Sequence, residues 1–84
     1  MHWSVVAVEP TSALELAVRF KDGTEGKVRF EQSHLSGVFE ALKSPEVFRQ
    51  ARVESGAVTW PGEIDLAPDA MYRAIKNSGE WVLR

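Results

Sequence analysis

The segment from Trp60 to Asp69, WPGEIDLAPD, sets a tryptophan, two prolines and three carboxylates within ten residues. Glu63 and Asp65 flank Ile64, and in extended backbone both project to the same side. A carboxylate pair beside an aromatic wall is the arrangement of an acid–base hydrolase. That chemistry requires one carboxyl to be desolvated and its pKa raised. A chain of 84 residues has little room for a substrate cleft in addition to a core. The local reading is simpler. Asp65 precedes Pro68 closely enough for its oxygens to accept backbone amides at a turn or helix start, and Asp69 complements the dipole of the helix that follows. Glu63 is the one residue of the segment left without a structural task.

The other reactive types are sparse. The two histidines, His2 and His34, are far apart in sequence. His2 stands beside a terminus of the kind that frays. His34 has Ser33 and Ser36 as neighbours, but neighbours on a loop do not make a nucleophile, base and orienting acid, and there is no GxSxG elbow. It reads as an exposed loop histidine. With no cysteine, thiolate metal sites, disulfides and cysteine nucleophiles are excluded, and two distant histidines do not supply a zinc set. No carboxylate loop for calcium, no GxGxxG and no phosphate-binding loop is present. The expectation is a chain with no catalytic residues, no cofactor and no metal.

Composition narrows the class. The formal net charge is −2, with 44% hydrophobic and 26% charged residues, which fits a folded single domain over residues 1–84 rather than a disordered chain. The longest strictly apolar run is Val5–Val8, far short of the roughly 20 residues that cross a bilayer. No signal peptide is read at the N-terminus, so a cytoplasmic location is expected. Mild acidity makes direct nucleic-acid binding an unfavoured expectation.

These residues need elements to position them. Trp3–Glu9 is rich in β-branched residues and is read as a first strand stopping at Pro10, with Val5, Val6 and Val8 covering both faces. Leu14, Leu16, Val18 and Phe20 alternate with charged or small residues, and Val28 and Phe30 continue the pattern after a turn. A two-residue turn there would set Phe20 against Glu25. A three-residue loop, Lys21–Gly23, sets Leu16 against Val28 and places Arg19 opposite Glu25 and Glu15 opposite Arg29. The cations of the outer face are thus met by carboxylates.

Val38, Phe39 and Leu42 are spaced for a helical turn. Ser44-Pro45 then predicts a short helix with serine at its N-cap and Val47 and Phe48 inward. Ser55-Gly56 predicts a two-residue hairpin joining Val53 to Val58 and placing Trp60 on the core side. Pro61-Gly62 turns the chain, Pro68–Asn77 is helical with Met71, Tyr72 and Ile75 on its apolar side, and Gly79 stops it. The core spans about 3–76, and 77–84 is a tail or an edge strand. The order β-β-β-α-β-β-α predicts an α+β fold, a small antiparallel sheet of β-hairpins with two short helices on one face.

Taken in order, VEP, LAVRFKDGTEGKVRF and GVFEALKSPEVFRQARVESGAVTWPGEIDLAPDAMY resemble the small bacterial domains of domain-of-unknown-function family 2442. The resemblance spans Val5 to Ala74. It rests on Phe20 with Asp22-Gly23, the VFEAL turn, Pro45–Phe48, Trp60-Pro61 and Asp65–Asp69. It implies a compact α+β domain with no established catalytic residues to carry over. Some relatives continue into a helix–turn–helix that this chain lacks, and a toxin–antitoxin-like pairing is implied by association only.

The functional expectation is a non-enzymatic protein-interaction module, binding itself or a small partner protein. The alternative is an accessory regulatory domain acting near nucleic acid. Candidate partner contacts are Trp81, Trp60 and Glu63. Trp81 has two open placements, at an interface or folded back on the domain.

Overall fold

Period-two alternation in Glu15–Phe20 (β2) and Glu25–Phe30 (β3) produces an antiparallel pair in the computed structural model of the chain, which describes residues 2–84. Leu16, Val18, Phe20, Val28 and Phe30 are buried along one face. The loop is the three-residue one: Phe20 N–H donates to the Thr24 carbonyl at 2.8 Å, and Gly23 takes the left-handed conformation at φ 92°. Glu15 stands opposite Arg29 and Arg19 opposite Glu25, as the register requires.

The first strand, β1 (Val5–Ser12), runs through Pro10 instead of stopping there. It lies at the edge of its sheet, where a missing N–H is tolerated. A bulge between Val5 and Ala7 resolves its two-sided apolar pattern. Val5 pairs with Phe20 and Val8 with Val18 on the core side, while the extra residue Val6 is turned out and 47% exposed. The expectation that all three valines are buried is corrected accordingly.

After β3 the chain makes two 3-10 segments, Gln32–His34 and Gly37–Lys43, before helix α1 (Pro45–Phe48). The 3-10 period of three places Phe39 and Leu42 on one face and leaves Val38 at 68% exposure, outside the apolar stripe it was expected to join. Ser44 occupies the N-cap of α1, but its hydroxyl makes no capping bond there. Phe48 is buried and Val47 half-buried.

Strands β4 (Arg52–Glu54) and β5 (Ala57–Trp60) join through Ser55 and Gly56, at φ 52° and 80°, the mirror-image turn that fits strand twist. A third strand, β6 (Ile64–Asp65), which the sequence pattern did not reveal, pairs Ile64 with Trp60. Helix α2 (Pro68–Ser78) follows, closed by Gly79 at φ 83°, whose N–H bonds the Ile75 carbonyl at 2.7 Å. The last strand is β7 (Glu80–Leu83).

The fold is α+β as expected, with the order lengthened to β-β-β-α-β-β-β-α-β. There are two sheets rather than one: a four-stranded β1-β2-β3-β7 and a three-stranded β4-β5-β6. The first is mixed, because α2 carries the chain back to lay β7 parallel to β3. A single core joins both sheets and both helices. At its centre Phe30 meets Phe48 and Trp60 edge-on, with ring centroids 5.9 and 6.0 Å away.

Candidate functional site

The three candidate contacts occupy different surroundings. Trp60 is 1% exposed, and its Nε1 donates to the Phe48 carbonyl at 3.0 Å, so it has almost no surface to present. Glu63 is exposed in the loop between β5 and β6 at φ 63°, a left-handed backbone that costs a residue with a Cβ about 1–2 kcal/mol. Trp81 folds back on the domain, opposite Val28, and remains half-exposed because β7 is the edge strand.

The acidic stretch does not assemble a carboxylate pair. Asp65 lies opposite Thr59, while left-handed backbone at Glu63 breaks the extended geometry that would align the two side chains. The expected bonds from backbone amides to Asp65 are absent among the described residues, and Ala67 stands at the N-cap of α2 with no side-chain cap. Asp69 is in the first turn of α2 as expected and meets Arg73 at 4.0 Å. A shallow groove of about 380 Å³ runs past Arg52, Glu54, Thr59, Glu63 and Asp65. Arg52 is already bound to Glu54 at 3.3 Å. The Thr59 hydroxyl is buried beneath it without a hydrogen-bond partner among the described residues. Among the described residues no three His, Asp or Glu side chains come together as a metal site, and no helix is long and apolar enough to cross a membrane.

Neither histidine is simply loose. His2 packs edge-on against Tyr72, with centroids 5.1 Å apart. His34 lies between Phe30 and Phe39, and its Nδ1 is 3.3 Å from the Arg84 carbonyl. One pairing had no local signal at all. Tyr72 Oη donates to Asp22 Oδ2 at 2.5 Å across fifty residues, and the Thr24 N–H donates to the same carboxylate at 2.9 Å. The Tyr72 bond, followed by the bonds from Thr24, holds the Asp22 carboxyl down to about 2, and the same contact raises the Tyr72 phenol.

The most distinctive surface is the open edge of β7. Its parallel register with β3, together with bonds from Lys27 N–H to the Gly79 carbonyl and from Glu31 N–H to the Leu83 carbonyl, turns the backbone of Gly79, Trp81 and Leu83 toward β3. The alternate residues, Glu80 and Val82, turn their N–H and C=O outward. Ser78 Oγ reaches the Glu80 carbonyl at 3.1 Å, while among the described residues Val82, on the edge strand, has no backbone or side-chain partner on that side. Trp81 and Leu83 project to the core face beside Val28 and Phe30. On the outer face, Glu80 pairs with Arg29 at 3.6 Å and Arg84 with Glu31 at 3.8 Å. The alternation of Glu80, Val82 and Arg84 with Trp81 and Leu83 was visible in the sequence. Which backbone groups it left free was not.

Residues 5–77, from the start of β1 into α2, match the family described as "Protein of unknown function (DUF2442)". No curated protein and no solved structure matches the chain. The match covers most of the chain and takes in β1 to β6, α1 and most of α2, leaving β7 beyond it; this chain belongs to the DUF2442 family.

Proposed function

We propose that this domain is a non-enzymatic protein-interaction module whose contact surface is the edge of β7. The observation that carries the reading is the outward-facing, unpaired backbone of Val82 on an edge strand flanked by half-exposed Trp81 and Leu83. Such an edge is a template for a further strand: main-chain bonds supply attraction and the alternating side chains supply selectivity. Charge favours a protein over a phosphate backbone. The formal net charge is −2, whereas nucleic-acid binders usually carry a basic patch or stripe.

Val82→Pro tests this directly. The Val82 N–H faces outward, so proline removes an edge donor and leaves the bonds of Trp81 and Leu83 to β3 in place. The expected result is a variant with an unchanged melting transition that loses self-association and any protein captured by the wild-type chain. Association that is unaffected by Val82→Pro removes the β7 edge as the contact surface.

A further inference from the structure

We infer that the strand this edge accepts is β7 of a second copy of the chain, antiparallel and centred on Val82. The inference rests on the interaction reading above and goes further by naming the occupant and the register.

The segment Glu80-Trp81-Val82-Leu83-Arg84 is self-complementary under a two-fold axis through Val82. Antiparallel pairing about that axis sets Val82 opposite Val82, Glu80 opposite Arg84 and Arg84 opposite Glu80 of the second copy. It also sets Trp81 opposite Leu83, and Leu83 opposite Trp81. The backbone allows this register. Glu80 and Val82 turn their N–H and C=O outward, the Glu80 carbonyl already accepting from Ser78 Oγ, so Val82 meets Val82 at a hydrogen-bonded position. Arg84 lies one residue past β7 with its carbonyl 3.3 Å from His34 Nδ1, and it meets Glu80 through its side chain. Trp81 and Leu83 fall on the intervening positions, where opposed Cα atoms approach to about 4.5 Å and side chains pack closest.

Neighbouring registers lose this match. An axis through Trp81 sets Glu80 against Val82, and an axis through Glu80 sets that carboxylate against itself.

The ion pairs within each chain extend across the contact. Glu31 holds Arg84 at 3.8 Å, and Glu80 holds Arg29 at 3.6 Å, all on the outer face. Bringing Arg84 beside Glu80 of the second copy makes a row of alternating sign: Glu31, Arg84, then Glu80 and Arg29 of the second copy. By symmetry the row occurs twice. On the opposite face, the half-exposed Trp81 and Leu83 extend the apolar surface of each core toward the other. The pairing joins two four-stranded sheets into one continuous sheet and covers the unpaired edge on both.

The test is sedimentation equilibrium on the intact chain at low ionic strength, over concentrations from about 1 to 500 µM. The wild type is expected to approach twice its 9.4 kDa mass. Glu80→Arg alone sets arginine against Arg84, and Arg84→Glu alone sets glutamate against Glu80, so each variant should dimerise about tenfold more weakly or worse. An equimolar mixture of the two should recover association, because every charge facing across the mixed dimer is then of opposite sign. Losses within each chain are the same alone and in the mixture, so recovery on mixing reads the contact between copies.

A mixture no tighter than its components overturns the register. A wild type that stays monomeric throughout overturns the second copy as occupant. If a monomeric wild type still captures a protein that Val82→Pro releases, the inference fails while the interaction reading stands.

Discussion

Tyr72 Oη donates to Asp22 Oδ2 at 2.5 Å, fastening the middle of α2 to the β2–β3 turn. Tyr72 lies on the same helix as the buried Met71 and Ile75, which seat α2 on the core ahead of β7. Lys76, one turn along the helix, has its ammonium 6.0 Å from the Tyr72 ring centroid.

This pair should give the protein a recognisable acid response. The Asp22 carboxyl is held down to about 2 by the Tyr72 hydroxyl and then by the Thr24 bonds, whereas an unfolded aspartate titrates near ~3.9. Its stabilising contribution is therefore present above ~3.9 and is lost as pH falls toward about 2. Thermal melts between pH 7 and pH 2 should show a steeper acid loss for the wild type than for Asp22→Asn. Tyr72→Phe should move the Asp22 carboxyl resonance toward the ordinary titration range.

Gly26 should tolerate no side chain. A Cβ there would lie 2.5 Å from Ile75 Cγ2 and 2.7 Å from the Gly79 carbonyl oxygen. Ile75 can turn, but the backbone oxygen at the C-cap of α2 cannot move without shifting β7. Gly26→Ala is expected to destabilise by about 1–3 kcal/mol in urea unfolding, with faster amide exchange along β7.

Thr59 carries a buried hydroxyl with no partner among the described residues. Thr59→Val replaces it with a methyl group of similar shape on the central strand of the three-stranded sheet. Where Thr-to-Val substitution ordinarily removes a hydrogen bond, here it removes an unsatisfied group. A gain of about 0.5–1 kcal/mol is expected by chemical denaturation.

Glu63 separates backbone strain from partner contact. At φ 63° it is held in a conformation that glycine adopts freely, so Glu63→Gly should raise stability by about 0.5–1 kcal/mol. If the carboxylate also meets a partner, the same variant should bind more weakly while melting higher. Unchanged binding would assign Glu63 to the turn alone.

The sequence by itself determined the elements whose signals are local. Alternation with a turn that tolerates only one parity fixed β2 and β3 in register, and Ser55-Gly56 set the second hairpin. Pro68 and Gly79 bounded α2, and the ordered motifs from Val5 onward identified the family. Tertiary structure decided whatever depended on residues distant in the chain. Two residues, Ile64-Asp65, became a strand only because Trp60 and Thr59 were there to pair with them. The tail became a strand because α2 delivered it beside β3, which lays Trp81 against the core and leaves it half-exposed. A bulge at Val6 and a 3-10 segment at Gly37–Lys43 changed which valines were covered, since either one alters the period by which side chains share a face. The free backbone at Val82 has the same origin. Side-chain alternation is written in the residues, but the direction in which a peptide group points is set only when one edge of its strand has been paired.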